Sequence, residues 1–140
     1  MSKTNAFEND ILDLIFNATA IADLAENDTT SPATTLTVSL HTASPGEAGD
    51  MTTNEATYTS YARVTVNRNS GGWTVSGNSV SPTANIDFPT ATGGSNTITH
   101  VGIGTGVTNN LMYYGALSPN ISVSTGVTPR VTTSSTITED

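Results

Sequence analysis

The sequence predicts an all-β fold, an antiparallel β-sandwich of jelly-roll type with one short N-terminal helix. Three observations predict it. Charged residues make up only 11% of the chain while Thr, Ser, Asn and Gly abound, a surface that suits pleated strands and turns better than helices. Beyond residue 34 the apolar residues recur with a period of two, the period of a half-buried strand. Turn clusters of Gly, Pro, Asn and Ser separate these runs at short, regular spacing, the pattern of a sandwich or jelly roll rather than of β-α units.

The one helical stretch comes first. Phe7, Ile11, Leu14, Ile15 and Ala18 recur at spacings of three and four, which makes an apolar stripe. Leu12 and Phe16 widen it. Asn5 followed by Glu8 reads as an N-cap with its capping-box partner, and Glu8 and Asp10 lie where the helix dipole favours anions. The helix is expected to run to Asn17, with a second short turn from Ala20 to Ala25. Residues 1–25 then form a helical segment and connection, and residues 34–140 the sandwich, within a single domain.

The strands follow in order. Leu36, Val38 and Leu40 alternate with Thr37, Ser39 and His41, predicting a strand with one apolar and one polar face. Ala43 to Asp50 is a loop carrying Pro45, Gly46 and Gly49. Tyr58 to Asn67 reads as one or two strands, with Val64 and Val66 on one face and Tyr61, Arg63 and Thr65 on the other. After the loop Asn67 to Gly72, Trp73 and Val75 begin the next strand, and Ser76-Gly77-Asn78-Ser79 turns. Ala84, Ile86 and Phe88 alternate up to Pro89. A loop with Gly93-Gly94 leads into the strand Thr97 to Ile103. Thr105 to Asn110 turns, Leu111 to Leu117 is a strand, and Pro119-Asn120 turns again. Ile121 to Ser124, Val127 to Val131 and Ser135 to Thr138 complete the set.

Charge narrows the function. The net charge is −8, and the only cations are Lys3, Arg63, Arg68 and Arg130. Four scattered cations make no footprint for nucleic-acid phosphates or for an anionic membrane. There is no run of about 20 apolar residues to cross a bilayer. Acids at Glu8, Asp10 and Asp13 interrupt the N-terminal apolar positions, unlike a signal peptide, so a soluble chain starting near residue 1 is expected. With no cysteine, disulfides, thiolate metal sites and thiol nucleophiles are excluded.

Sites for chemistry are few. His41 and His100 are the only histidines, no Gly-x-Ser-x-Gly elbow accompanies them, and each reads as a structural histidine. Gly102-Ile103-Gly104-Thr105-Gly106 lacks the lysine and the helix of a phosphate loop, and reads as close backbone packing at a strand end. Glu47, Asp50 and Glu55 bring oxygens to one region in a spacing that fits no EF-hand. Whether they hold a cation stays open. Trp73, Tyr58, Tyr61, Tyr113 and Tyr114 would make a sugar-stacking platform if exposed, although Trp73, alternating with Val75, reads as core. No catalytic residue, no cofactor site and no metal site is predicted, and the chain is not expected to be an enzyme.

Several motifs occur in a telling order: the helix Asn9-Asp10-Ile11-Leu12-Asp13-Leu14-Ile15-Phe16, the strand Thr37-Val38-Ser39-Leu40-His41-Thr42 running into Ser44-Pro45-Gly46-Glu47-Ala48-Gly49, then Tyr61-Ala62-Arg63-Val64, Ile86-Asp87-Phe88-Pro89-Thr90-Ala91-Thr92, Thr99-His100-Val101-Gly102-Ile103 and Gly115-Ala116-Leu117. This order resembles a family of small phage virion proteins that includes capsid cement, or decoration, subunits and is often labelled tail-fibre proteins. Two departures touch partner contacts: Ile21 to Pro32 is longer than the usual connection, and Val101 and Gly104 stand where aromatics are usual. The resemblance implies a β-sandwich without enzymatic activity, made in the host cytoplasm and displayed on the virion, on the capsid surface in the reading favoured here. It implies the major capsid protein as partner, self-association as a homotrimer, and room for host-surface contact. A tail or fibre-tip module that binds a receptor or glycan is the alternative. Docking is expected through Phe7, Ile11, Leu14 and Ile15; the competing reading is that the helix caps an open end of the sandwich.

Overall fold

A computed structural model describes residues 3–21, 25, 32–105 and 109–139, except the side chain of Asn5. The chain is antiparallel β with one short N-terminal helix, as the periodicity predicts. The elements are α1 (Asn5–Asn17), β1 (Thr35–His41), β2 (Val64–Asn67), β3 (Trp73–Ser76), β4 (Ser79–Pro82), β5 (Ile86–Asp87), β6 (Asn96–Gly104), β7 (Leu111–Val123), β8 (Arg130–Val131) and β9 (Ile137–Thr138). They form a four-stranded sheet in the order β2-β1-β6-β7, a three-stranded sheet β3-β4-β9 and a pair β5-β8, the divided sheets of a sandwich-like class.

The chain folds as two compact units interleaved in sequence. Unit 1 comprises Met1–Thr35, Asn67–Ile86 and Val131–Asp140; unit 2 comprises Leu36–Val66 and Asp87–Arg130. In unit 1, α1 packs on β3 and β4. Leu12, Phe16, Trp73, Val80, Ile86 and Val131 are buried apolar residues of this unit, and the Phe16 and Trp73 rings meet edge to face at 4.9 Å, the geometry that the aromatic quadrupole favours. A two-residue hairpin joins β3 to β4, pairing Ser76 with Ser79. Gly77 carries it at φ +61°, a conformation that strains a residue with a Cβ.

In unit 2, β1 runs antiparallel to β6, with Val38 opposite Ile103 and His41 opposite His100. Leu36, Val38, Leu40 and Ile98 are buried there with Tyr58, Phe88 and Met51. The structure corrects the expected half-polar strand: β1 is buried on both faces, Thr37, Ser39 and His41 included. A central strand is covered on both sides, so its polar residues must find partners inside.

Three further expectations change. Ser79, expected as the end of a turn, instead starts Ser79–Pro82, the central strand of the three-stranded sheet, to which the periodicity assigns no element because its short Ser/Val alternation is masked by the adjoining turn residues. Of the stretch Tyr58 to Asn67 only Val64–Asn67 pairs as a strand. Pro119-Asn120 does not end a strand, because β7 continues to Val123. Between the pairs Ile98↔Ile121 and His100↔Ala116 the ladder shifts register. The bulge takes up Leu117 to Asn120, and within a bulge a proline is tolerated without its N–H.

Candidate functional site

The helix is set from both ends. Thr4, not Asn5, is the N-cap: its backbone is extended and its hydroxyl accepts from the Phe7 N–H. That satisfies one of the donors a helix start leaves open. At the other end Ala18 takes the left-handed conformation, φ 57°. Asp13 is held between Asn9 and Asn17, whose amides donate to it at 2.9 and 2.8 Å. The Arg68 guanidinium covers the last turn. Its Nε donates to the Ile15 carbonyl at 2.6 Å and a terminal nitrogen donates to the Leu14 carbonyl, where the dipole favours a cation. Nothing in the spacing of Arg68, far along the chain, announces that role.

Rotation of α1 decides which residues face the core. Glu8, Leu12 and Phe16, one turn apart, are the buried set. Phe7 is 36% exposed, and Ile11, Leu14 and Ile15 are half-buried. Leu12 and Phe16, which only widen the stripe as the spacing is read, are therefore its centre, and the four predicted docking residues flank it. Of the expected turn from Ala20 to Ala25, residues 22–24 lie outside the described residues; Ile21 and Ala25 exchange both backbone hydrogen bonds at 2.8 Å, as an antiparallel bridge does.

The second concentration of polar groups lies along β1. The ring of His41 is fully buried. Its Nδ1 is 2.8 Å from the Thr53 carbonyl and its Nε2 is 2.8 Å from the Ser39 hydroxyl. A carbonyl can only accept, so Nδ1 carries the proton and Nε2 accepts from Ser39. Burial pushes the His41 pKa below its ordinary value, against the smaller opposing effects of the Thr53 carbonyl and the Glu55 charge; the ring is neutral at pH 7. A serine beside a histidine is the start of a nucleophilic pair, but here Ser39 and His41 are both sealed from solvent and a carbonyl stands where a triad has its carboxylate.

Glu55 is engaged elsewhere. It takes Arg63 in a bidentate pair at 2.7 and 2.8 Å and accepts from the Tyr61 hydroxyl at 2.9 Å. The same hydroxyl oxygen accepts from the Leu40 N–H at 3.0 Å, and Arg63 reaches the Asn109 side chain at 2.8 Å. Asp50 binds the N–H and hydroxyl of Thr52 and the hydroxyl of Thr53; these hydrogen bonds hold its carboxyl below the usual range. Glu47 is exposed. Each of the two acids Asp50 and Glu55 thus has protein partners, and no group of three metal-ligating side chains forms among the described residues.

The other candidates resolve in the same way. A Cβ on Gly102 would stand 2.7 Å from His41 Nε2, the Ser39 hydroxyl and Leu111, and one on Gly104 would strike the Asn110 carbonyl. These glycines allow close packing, as their place at a strand end suggests. The aromatic residues form no platform, because Trp73 and Tyr58 are buried. Tyr61 instead stacks on Phe88 at 6.3 Å and meets Tyr58 edge to face at 5.4 Å. Tyr114 is the exposed one, at 40%. The remaining cations are also in ion pairs, Arg130 with Asp87 and Lys3 with Glu139. No helix among the described residues is long and apolar enough to cross a membrane.

A family model described as podophage GP4 fiber I protein gp80 matches residues 2–139. The chain belongs to this family, a phage fibre and structural protein family, and is accordingly a virion-associated protein. No curated protein matches the chain.

Proposed function

We propose that the chain is a non-enzymatic capsid cement subunit that binds the outer shell of a phage head. In this reading α1 docks on the major capsid protein through Phe7, Ile11, Leu14 and Ile15, and the subunits act as homotrimers. The observation that carries it is the rotation of α1. The helix anchors itself in unit 1 through Leu12 and Phe16 and leaves an apolar flank partly in solvent, with Phe7 exposed. Apolar area left at a surface is the material of an interface. A subunit that binds the assembled shell and not its loose components stabilises the shell by mass action, and many equivalent sites multiply a modest energy per site. The sealed Ser39–His41 pair supports a binding role over catalysis.

The experiment is co-sedimentation of the purified chain with undecorated heads, comparing wild type with Phe7→Lys and with the pair Ile11→Ser and Leu14→Ser. Retained circular dichroism with lost decoration supports docking through α1. Undiminished decoration by all variants rejects it. The family's description as a fibre protein favours a second reading, a tail or fibre-tip module that contacts a host receptor or glycan. Imaging particles with labelled protein separates the two: label over the shell supports cement, and label confined to the tail supports the fibre reading.

A further inference from the structure

Phe7, Asp10, Ile11 and Leu14 follow one another at i, i+3, i+4 and i+7 and so share one side of α1, while Glu8, Leu12 and Phe16 form the buried line on another. Three of the four are apolar. Asp10 stands among them, exposed, and among the described residues its carboxylate has no hydrogen-bond or ion-pair partner. The neighbouring acid differs: Asp13 is half-buried, and its two oxygens take the amides of Asn9 and Asn17. Asp10 therefore brings an unsatisfied charge to the middle of the apolar face that the functional reading makes the docking surface. A groove that is apolar throughout cannot cover that face without desolvating a carboxylate, which is strongly unfavourable when no cation or donor meets it.

We infer that the partner of α1 is a different protein, whose apolar groove carries an arginine or lysine placed to meet Asp10. Charge complementarity selects it. The other occupant to consider is a second copy of this chain, which has a net charge of −8 and four Lys or Arg residues, each already engaged. Lys3 pairs with Glu139, Arg63 with Glu55 and Arg130 with Asp87, and Arg68 holds the Leu14 and Ile15 carbonyls. A second copy would have to break one of these contacts to answer Asp10. A cation of another protein has no such cost, and it also fixes the rotation of the helix in its groove, because only one rotation brings the carboxylate to it. The inference rests on α1 being the docking element of the functional reading. It gives Asp10 the specificity that the three apolar residues lack and places the contacts of the proposed homotrimer elsewhere on the chain.

Co-sedimentation with undecorated heads tests it through the sign of one substitution. Asp10→Leu enlarges the apolar face, so it strengthens binding to a purely apolar groove and weakens binding to a groove that holds a cation. The expected result is weakening by about tenfold or more with Asp10→Leu and with Asp10→Asn, and near wild-type binding with Asp10→Glu. Wild-type affinity is expected to fall with salt more than that of Asp10→Asn. Circular dichroism checks that each variant keeps its helix. Binding by Asp10→Leu that equals or exceeds wild type overturns the cation, and if Phe7→Lys still abolishes binding, α1 stands as the docking element. Undiminished binding by Phe7→Lys, or no binding of heads by wild type, overturns the docking reading and the inference with it. Sedimentation equilibrium of the isolated chain covers the other occupant: an oligomer that Phe7→Lys disperses assigns the face to a second copy and overturns the inference, and an association state that Phe7→Lys leaves unmoved supports it.

Discussion

Unit 1 and unit 2 bury their backbones in different company. Unit 1 sets an amphipathic helix against a small sheet through Leu12, Phe16, Trp73 and Val80, and its polar devices, the Thr4 cap and the Arg68 guanidinium, serve the helix ends. Unit 2 threads polar side chains through its centre: Thr37, Ser39 and His41 on β1, each buried, and the Glu55–Arg63–Tyr61 cluster beside them. The first kind of core depends on shape and apolar area. The second depends on every donor finding its acceptor, and so responds to protonation. Buried polar networks are costly when broken, which makes unit 2 the more specific of the two and the more sensitive to pH.

The sharpest way to break the contrast is Trp73→Ala. It removes a fully buried ring and the Phe16 contact, at a cost of about 3–5 kcal/mol, read as a lower denaturant midpoint by circular dichroism. In unit 2, Gly102→Ala forces a methyl group against Ser39, His41 and Leu111, and about 1–3 kcal/mol is lost to overpacking with no apolar group removed. Arg68→Met keeps the apolar stem but leaves the Ile15 and Leu14 carbonyls without their charged donor. About 1–3 kcal/mol follows, and amide exchange should quicken in the last turn of α1 before it does in β3.

The pH prediction separates the units. The folded pKa of His41 lies below its ordinary value of 6.5. The unfolded chain therefore takes up the proton first, and the stability that neutral His41 confers is present above about pH 6.5 and is lost as pH falls through and below it. Both histidines, His41 and His100, lie in unit 2. Between pH 7 and 5, amide exchange corrected for intrinsic rates should accelerate in β1 and β6 more than in β3 and β4, and His41→Gln should flatten that dependence. A pH response that survives in the Gln variant assigns it to other groups. The smallest effect is Thr4→Ala, about 1 kcal/mol for a lost N-cap, visible as fraying at the start of α1.

How much of this was legible beforehand differs by element. The helix, the strands beginning at Leu36, Trp73, Thr97 and Leu111, and the hairpin at Gly77-Asn78 could be read because each is governed by periodicity or by one local residue requirement. Ser79–Pro82 and the run of β7 through Pro119 could not, since pairing with a neighbour overrides local turn chemistry. The docking stripe was half legible. Spacing located the helix and its apolar residues, but the choice between Leu12/Phe16 and Phe7/Ile11/Leu14 is made by the sheet against which the helix rests.

The sequence by itself determined that the protein is antiparallel β with one helix, acidic and free of cysteine, because composition and period act residue by residue. It also carried, in the order of its motifs, the phage virion family to which the chain belongs. Only the tertiary structure decided that His41 is a sealed, neutral ring rather than a surface residue, that Arg68 closes the helix, and that Glu55 belongs to Arg63. Each of these depends on which distant segment lies alongside, and that is settled by packing across the fold and not by any neighbour in the chain.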